Sequence, residues 1–128
     1  MILLDTCVLL WLVSDLEQLS EKAITTISKN KESIYVSAIS AFEIAIKVEK
    51  KKLKLPKKAQ EWFDLALRLH GIKELSITSD ILIKSVQLQQ HHADPADRII
   101  IATASQHRLT LITPDEHIKK YHGVDVVW

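Results

Sequence analysis

The sequence predicts an α/β fold: a three-layer α/β/α sandwich with a short, mainly parallel central sheet. Short apolar runs alternate with longer segments of helical periodicity along the whole chain. The runs are apolar at consecutive positions, the pattern of strands covered on both faces. Only two glycines and three prolines occur in 128 residues, so the connections between elements are short.

Ile2, Leu3 and Leu4 form the first strand, which ends at Asp5 and runs into a helix over 6–12. Leu19, Ala23, Ile24 and Ile27 recur at helical spacing and predict a helix over 20–30. Ile34, Tyr35 and Val36 are β-branched or aromatic and predict a strand ending at Ser37, followed by a helix from Ala38 to about Lys51. Ala59, Trp62, Phe63, Ala66 and Leu67 mark a helix after Pro56, and residues 74–77 a brief strand. Ile81, Leu82, Ser85, Val86 and Gln89 continue as a helix. Pro95 suits the first position of a helix reaching Gln106. A strand over 109–112, a short helix over 114–121 and a strand over 125–127 complete the chain. Right-handed crossovers carry the carboxyl ends of parallel strands to one edge, where such sheets bind their ligands.

The length fits one domain, 1–128, with a core that needs no covalent staples. Apolar residues make up 47% and charged residues 26%, ordinary values for a globular chain. The net charge of +1 argues neither for nor against a nucleic-acid partner. Cys7 is the single cysteine, which excludes an internal disulfide and fits a cytoplasmic setting. No apolar run approaches the roughly 20 residues of a membrane span. The apolar start of the chain has Asp5 in its middle and no basic leader, so it reads as strand and helix, not as a signal peptide.

Four of the 16 acidic residues fall where a strand ends or a helix begins: Asp5, Glu43, Asp97 and Asp115. Three have a local explanation. Ser40-x-x-Glu43 fits a capping box. Asp94-Pro-Ala-Asp97 fits an N-cap, a proline at the first helical position and an acid in the first turn. Thr113-Pro-Asp115 fits the same scheme. Asp5 has none, because a lone charge closing a buried strand is costly. A parallel sheet brings all four to one edge, where each carboxylate raises the others' pKa and a divalent cation removes that cost. An all-oxygen set suits Mg²⁺ or Mn²⁺. His91 and His92 allow a zinc alternative, weakened because adjacent residues on a helix point apart. No nucleophilic serine or cysteine triad is visible, which argues against a covalent intermediate, and Cys7 reads as a small apolar residue.

Four blocks, LLDTCVLLW at 3–11, VSAISAFEIAIK at 36–47, HADPADRIIIA at 92–102 and LITPDE at 111–116, resemble the acidic blocks of PIN-domain nucleases, most closely the VapC-type toxins of toxin–antitoxin pairs. They occur in the family's order across the whole chain. The resemblance implies Asp5, Glu43, Asp97 and Asp115 as an acidic site for Mg²⁺ or Mn²⁺. It implies Thr6 and Thr113 as hydroxyls that orient those acids, with Asp94 capping its helix and reaching a metal-bound water. It further implies RNA cleavage leaving a 5′-phosphate and a 3′-hydroxyl, a homodimer, and a cognate antitoxin protein. Cys7 stands where relatives often carry His or Asn, and Ala96 where an aromatic is common.

Lys47, Lys50, Lys51, Lys52, Lys54, Lys57 and Lys58 hold half of the 14 lysines and offer phosphate steering. Lys47 and Arg98, next to site acids, are the nearest candidates for the substrate backbone. The helices over 19–27 and 59–69 carry bulky apolar residues, with Trp11 and Trp62 nearby; most of these are core, and a surplus strip is a candidate dimer face or antitoxin groove. Two other acid-edged folds fit poorly. A signalling receiver domain needs paired acids after the first strand and a lysine after a late one; a haloacid-type phosphatase needs an acid at position 7. A non-catalytic binding module of the same fold is the remaining alternative.

Overall fold

The computed structural model describes residues 1–89 and 94–128. Five strands, β1 (Ile2–Leu4), β2 (Ile34–Ser37), β3 (Ile72–Leu75), β4 (Thr110–Ile112) and β5 (Val126–Val127), form one sheet of order β3-β2-β1-β4-β5 with every pairing parallel. Among the described residues six α-helices accompany them: α1 (Thr6–Ser14), α2 (Glu21–Lys29), α3 (Ala38–Glu49), α4 (Ala59–His70), α5 (Ser79–Gln87) and α6 (Pro95–His107).

The strands' consecutive apolar residues divide between two cores. Ile2 and Leu4 of β1 face one core with Ala23, Ile27, Ile44, Trp62, Phe63 and Ile112. Leu3 and Leu111 face the other with Ile100, Ile101, Ala104 and Ile118. Strand alternation thus sends both sets of apolar side chains into packed layers, and the three-layer sandwich is observed.

The registers Leu4↔Val36 and Leu4↔Ile112 align the carboxyl ends of β2, β1 and β4. The chain leaves β1 towards β2 and β3, then returns to the other side of β1 as β4. Strand order therefore reverses at β1/β4, the place where an open parallel sheet leaves a crevice.

Several boundaries differ from the sequence reading, each for a local reason. β3 begins at Ile72, two residues earlier than read, because Gly71 at φ 64° ends α4 and delivers the chain directly to the sheet. α1 runs to Ser14 instead of 12. α3 ends at Glu49, with Lys51 just beyond it at φ 58°. The helix read over 114–121 is only a 3₁₀ turn, Ile118–Lys120. There the Thr113 hydroxyl accepts from the Asp115 N–H and the Asp115 carboxylate accepts from the His117 N–H. Those side-chain bonds hold the backbone in turns that compete with helix.

The apolar helices 19–27 and 59–69 are mostly core, with Leu19, Ala23, Ile27, Trp62, Phe63 and Ala66 buried and only Ile24 and Leu69 among their large apolar residues exposed. Trp11 packs against Trp128 with ring centroids 5.9 Å apart. The exposed apolar face lies instead on α5, where Leu82, Ile83 and Val86 share one side and Val86 is 75% exposed.

Candidate active site

Asp5 and Thr113 leave the carboxyl ends of the adjacent strands β1 and β4. Asp5 still bonds the sheet through its N–H to the Ile112 carbonyl, 3.1 Å. Its Oδ1 accepts from the Thr6 N–H at 2.8 Å and its Oδ2 from the Thr113 hydroxyl at 2.7 Å. Asp5 is therefore the N-cap of α1, a role its strand-end position did not reveal.

α3 is capped by Ser37, whose hydroxyl accepts from the Ile39 N–H. That displaces the capping-box reading of Ser40 and Glu43. Both residues lie inside α3 and reach across to α1: the Thr6 hydroxyl lies 2.8 Å from the Ser40 hydroxyl and donates to the Glu43 carboxylate. Asp94 caps α6, accepting from the Ala96 N–H at 2.9 Å, and Asp97 occupies the first turn.

These elements enclose a cleft of about 420 Å³ lined by Asp5, Thr6, Glu43, Lys47, Asp94, Asp97 and Asp115, among others. Carboxylate oxygens of Glu43, Asp94 and Asp97 lie within 4.8 Å of one another. The four acids read from the sequence thus line one cavity. Asp94, read as a cap that touches the metal's water, joins Glu43 and Asp97 in that set, whereas Asp5 and Asp115 line the cleft without belonging to it. His91 and His92 lie outside the described residues.

Burial dominates the electrostatics. It pushes the Asp5 carboxyl above its ordinary value; the Thr113 and Thr6 hydrogen bonds oppose that, Asp115 adds to it and Lys47 opposes it. Burial likewise raises the Glu43 carboxyl, opposed by the Thr6 hydroxyl and Lys47 and reinforced by Asp5 and Asp94. The Cys7 thiol is pushed up to about 12, by burial first and then by Asp5, so it is no nucleophile at neutral pH.

A pH dependence follows. An acid raised in the folded state binds its proton more tightly folded than unfolded, so its stabilisation is full below the unfolded value and is lost as pH climbs through the folded one. With a chelator present, the melting temperature of the wild type should fall relative to that of Asp5→Asn as pH rises from about 4 towards neutrality; parallel profiles would mean that Asp5 is not the group titrating.

Arg98 departs from its reading as a phosphate ligand. It is 7% exposed, and its guanidinium donates to the carbonyls of Val86, Leu88 and Gln89 at 3.0–3.2 Å. It closes the carboxyl end of α5. Lys47, by contrast, is exposed and lines the cleft. Of the other lysines in its run, Lys50 and Lys52 line a neighbouring pocket, whereas Lys51, Lys54, Lys57 and Lys58 line neither cavity.

The PIN domain family model matches residues 2–124. The chain belongs to the PIN domain family. Among PIN relatives, it is 31% identical over 121 residues to Ribonuclease VapC22 of Mycobacterium tuberculosis, covering 94% of this chain and 91% of that protein. A toxin–antitoxin complex from Klebsiella pneumoniae contains a chain of TM-score 0.69 and 27% identity, with coverage of 100% of this chain and 97% of that one. A chain of VapBC2 from Rickettsia felis, bound to a promoter DNA fragment, matches with TM-score 0.72 over 99% of this chain and 98% of its own; at 17% identity it speaks for the PIN fold alone.

Proposed function

We propose that this chain is a Mg²⁺- or Mn²⁺-dependent endoribonuclease and the toxin component of a cytoplasmic toxin–antitoxin pair. The observation that carries the reading is the meeting of Glu43, Asp94 and Asp97 within ligand-sharing distance, in a cleft that Asp5 and Asp115 also line. The relative named a ribonuclease supports RNA as the substrate. The toxin–antitoxin neighbour supports a protein inhibitor.

The donor set fits a hard divalent cation, because among the described residues the group within ligand-sharing distance, Glu43, Asp94 and Asp97, offers carboxylate oxygens. Asp5, Glu43, Asp97 and Asp115 would hold it, with Asp94 beside them. When bound, such an ion supplies Lewis acidity towards the scissile phosphodiester and lowers the pKa of water held next to it.

The protein's own groups do the positioning. Thr113 fixes one Asp5 oxygen and the Thr6 N–H the other. The Thr6 hydroxyl fixes one Glu43 oxygen, and such outer bonds orient acids that must hold a cation. Glu43, with one oxygen fixed by the Thr6 hydroxyl, is placed in the cleft to take a proton from the attacking water, a role Asp115 shares as an alternative. Lys47 offers its ammonium to a substrate phosphate. The water oxygen bonds to phosphorus as the bond to O3′ breaks in line, and O3′ takes a proton from solvent, leaving a 5′-phosphate and a 3′-hydroxyl.

End-labelled RNA incubated with purified protein provides the test. Cleavage should need Mg²⁺ or Mn²⁺, stop with chelator and return on adding the ion. The cation should also raise the wild-type melting temperature by mass action, and raise that of Asp5→Asn less. Cleavage undiminished in chelator would remove the metal; no cleavage under any condition would leave the non-catalytic binding module.

The exposed α5 face formed by Leu82, Ile83 and Val86 supports the homodimer. Val86→Glu should convert a dimer in light scattering to a monomer. A protein that is monomeric before the substitution, at tens of micromolar, would dispose of that assembly.

A further inference from the structure

Beside the acidic cleft lies a second cavity of about 360 Å³, within the range of small-ligand pockets at roughly 300–1,000 Å³. It shares Glu43, Lys47 and Asp94 with the cleft, so the two form one continuous depression. Its distinct part is lined by Phe42 and Ile46 on α3, Lys50 and Lys52 after it, and Pro95 and Ala96 at the start of α6. Phe42 is 59% exposed and belongs to neither core cluster. A largely exposed ring beside the cleft's acids, outside both core clusters, is not explained by core packing. Among the described residues Lys50 and Lys52 form no ion pair.

We propose that this pocket binds one unpaired nucleotide adjoining the scissile phosphate, with its base on the Phe42 ring and its backbone phosphates on Lys50 and Lys52. The proposal rests on the nuclease reading and narrows it to substrates that are single-stranded at the cut. An exposed aromatic ring in a pocket also lined by two lysines matches a base flanked by phosphates, because every base has a π-face and every linkage a negative charge. A base paired in a duplex has no free face to offer such a ring. A purely apolar peptide would bury the same ring but leave the lysines unanswered, so charge complementarity favours the nucleotide. Lys47, lining both cavities, would bridge the bound nucleotide and the phosphate being cut.

Binding is read apart from cleavage, by fluorescence anisotropy with Mg²⁺ on Asp97→Asn protein, using an unstructured 12-nucleotide RNA and an RNA duplex of the same length. Adding Phe42→Ala should weaken single-strand binding about tenfold or more, the effect of losing one base–aromatic stack. Phe42→Trp should restore it, and duplex binding should change less than twofold. Lys50→Gln and Lys52→Gln should each lower the salt dependence of single-strand binding by about 0.7 in log–log slope. Single-strand affinity unchanged by Phe42→Ala, or lost equally for duplex, would overturn the subsite. So would a Phe42→Ala protein that binds RNA normally but loses a partner protein, since the pocket would then belong to that partner. Wild-type protein that cleaves nothing while its binding still depends on Phe42 would remove the activity and keep the subsite. Normal cleavage and KM with Phe42→Ala would do the reverse.

Discussion

Asp97→Asn is expected to lower RNA cleavage by more than about 100-fold while leaving the metal-free protein at least as stable as the wild type. The lower bound on activity comes from comparison: outer groups that merely orient metal-binding side chains cost about 10–100-fold when removed, and a side chain that holds the ion itself should cost more. The stability half is a contest between two electrostatic effects. Asp97 sits in the first turn of α6, where an acid gains about 0.3–1 kcal/mol from the helix dipole. It also lies with Glu43 and Asp94 in a set whose oxygens are within 4.8 Å. Like charges at that distance repel by about 3 kcal/mol at an effective dielectric of about 20, and solvent around the exposed Asp94 reduces this further. Even a third of the repulsion offsets the dipole. Thermal melting in chelator, paired with the cleavage assay, checks both halves; a variant melting well below wild type would make Asp97 a helix-start residue first. Asp94→Asn separates capping from charge, because asparagine caps a helix about as well as aspartate. It should retain the wild-type melting temperature and lose about 10–100-fold in rate.

The sequence disclosed the layer order and most of the acidic site because those properties are written locally. Runs such as Ile2-Leu3-Leu4 are apolar at every position only if both faces are covered, and Asp94-Pro95 announces a helix start whatever surrounds it. Once the strands are parallel, the acids that follow them must share an edge. What stayed hidden depends on contacts between segments far apart in the chain. Ser40 and Glu43 have capping-box spacing, yet their partner is Thr6, 34 and 37 positions away. Nothing in that spacing distinguishes a hydroxyl that turns to its own helix from one that reaches another. Asp94 was legible as a cap, but its closeness to Glu43 depends on how α3 meets α6. The bulky apolar side chains of α2 and α4 mostly fill the core, whereas Leu82, Ile83 and Val86 on α5, residues of the same kind, are exposed together. Hydrophobic periodicity marks which face of a helix is apolar, and only the packing decides whether that face is covered.

Arg98→Ala is expected to destabilise the fold by about 3 kcal/mol, near 10 °C in melting temperature for a chain of this size. In the folded protein the Arg98 guanidinium is buried against the carbonyls of Val86, Leu88 and Gln89, where α5 ends. Those carbonyls at a helix end lack the next turn's N–H donors, so a charged donor from α6 serves them instead. Each hydrogen bond to a charged group contributes about 1.5–3 kcal/mol, and a buried acceptor left without a partner costs about 1–3 kcal/mol. Three such bonds would sum higher, but water entering the space left by the side chain would recover part of the loss. Arg98→Lys should recover only some of the stability, because one ammonium cannot reproduce the spread of a guanidinium over three carbonyls. The position next to Asp97 makes a phosphate-binding role the natural rival, and the two accounts differ in what they move. A phosphate ligand lost would raise KM and lower the salt dependence of RNA binding at unchanged melting temperature. A helix tie lost would lower the melting temperature and leave KM unchanged for the molecules still folded. Melting and steady-state cleavage on one preparation, below the variant's melting range, decide between them. An unchanged melting temperature with a raised KM would return Arg98 to the substrate.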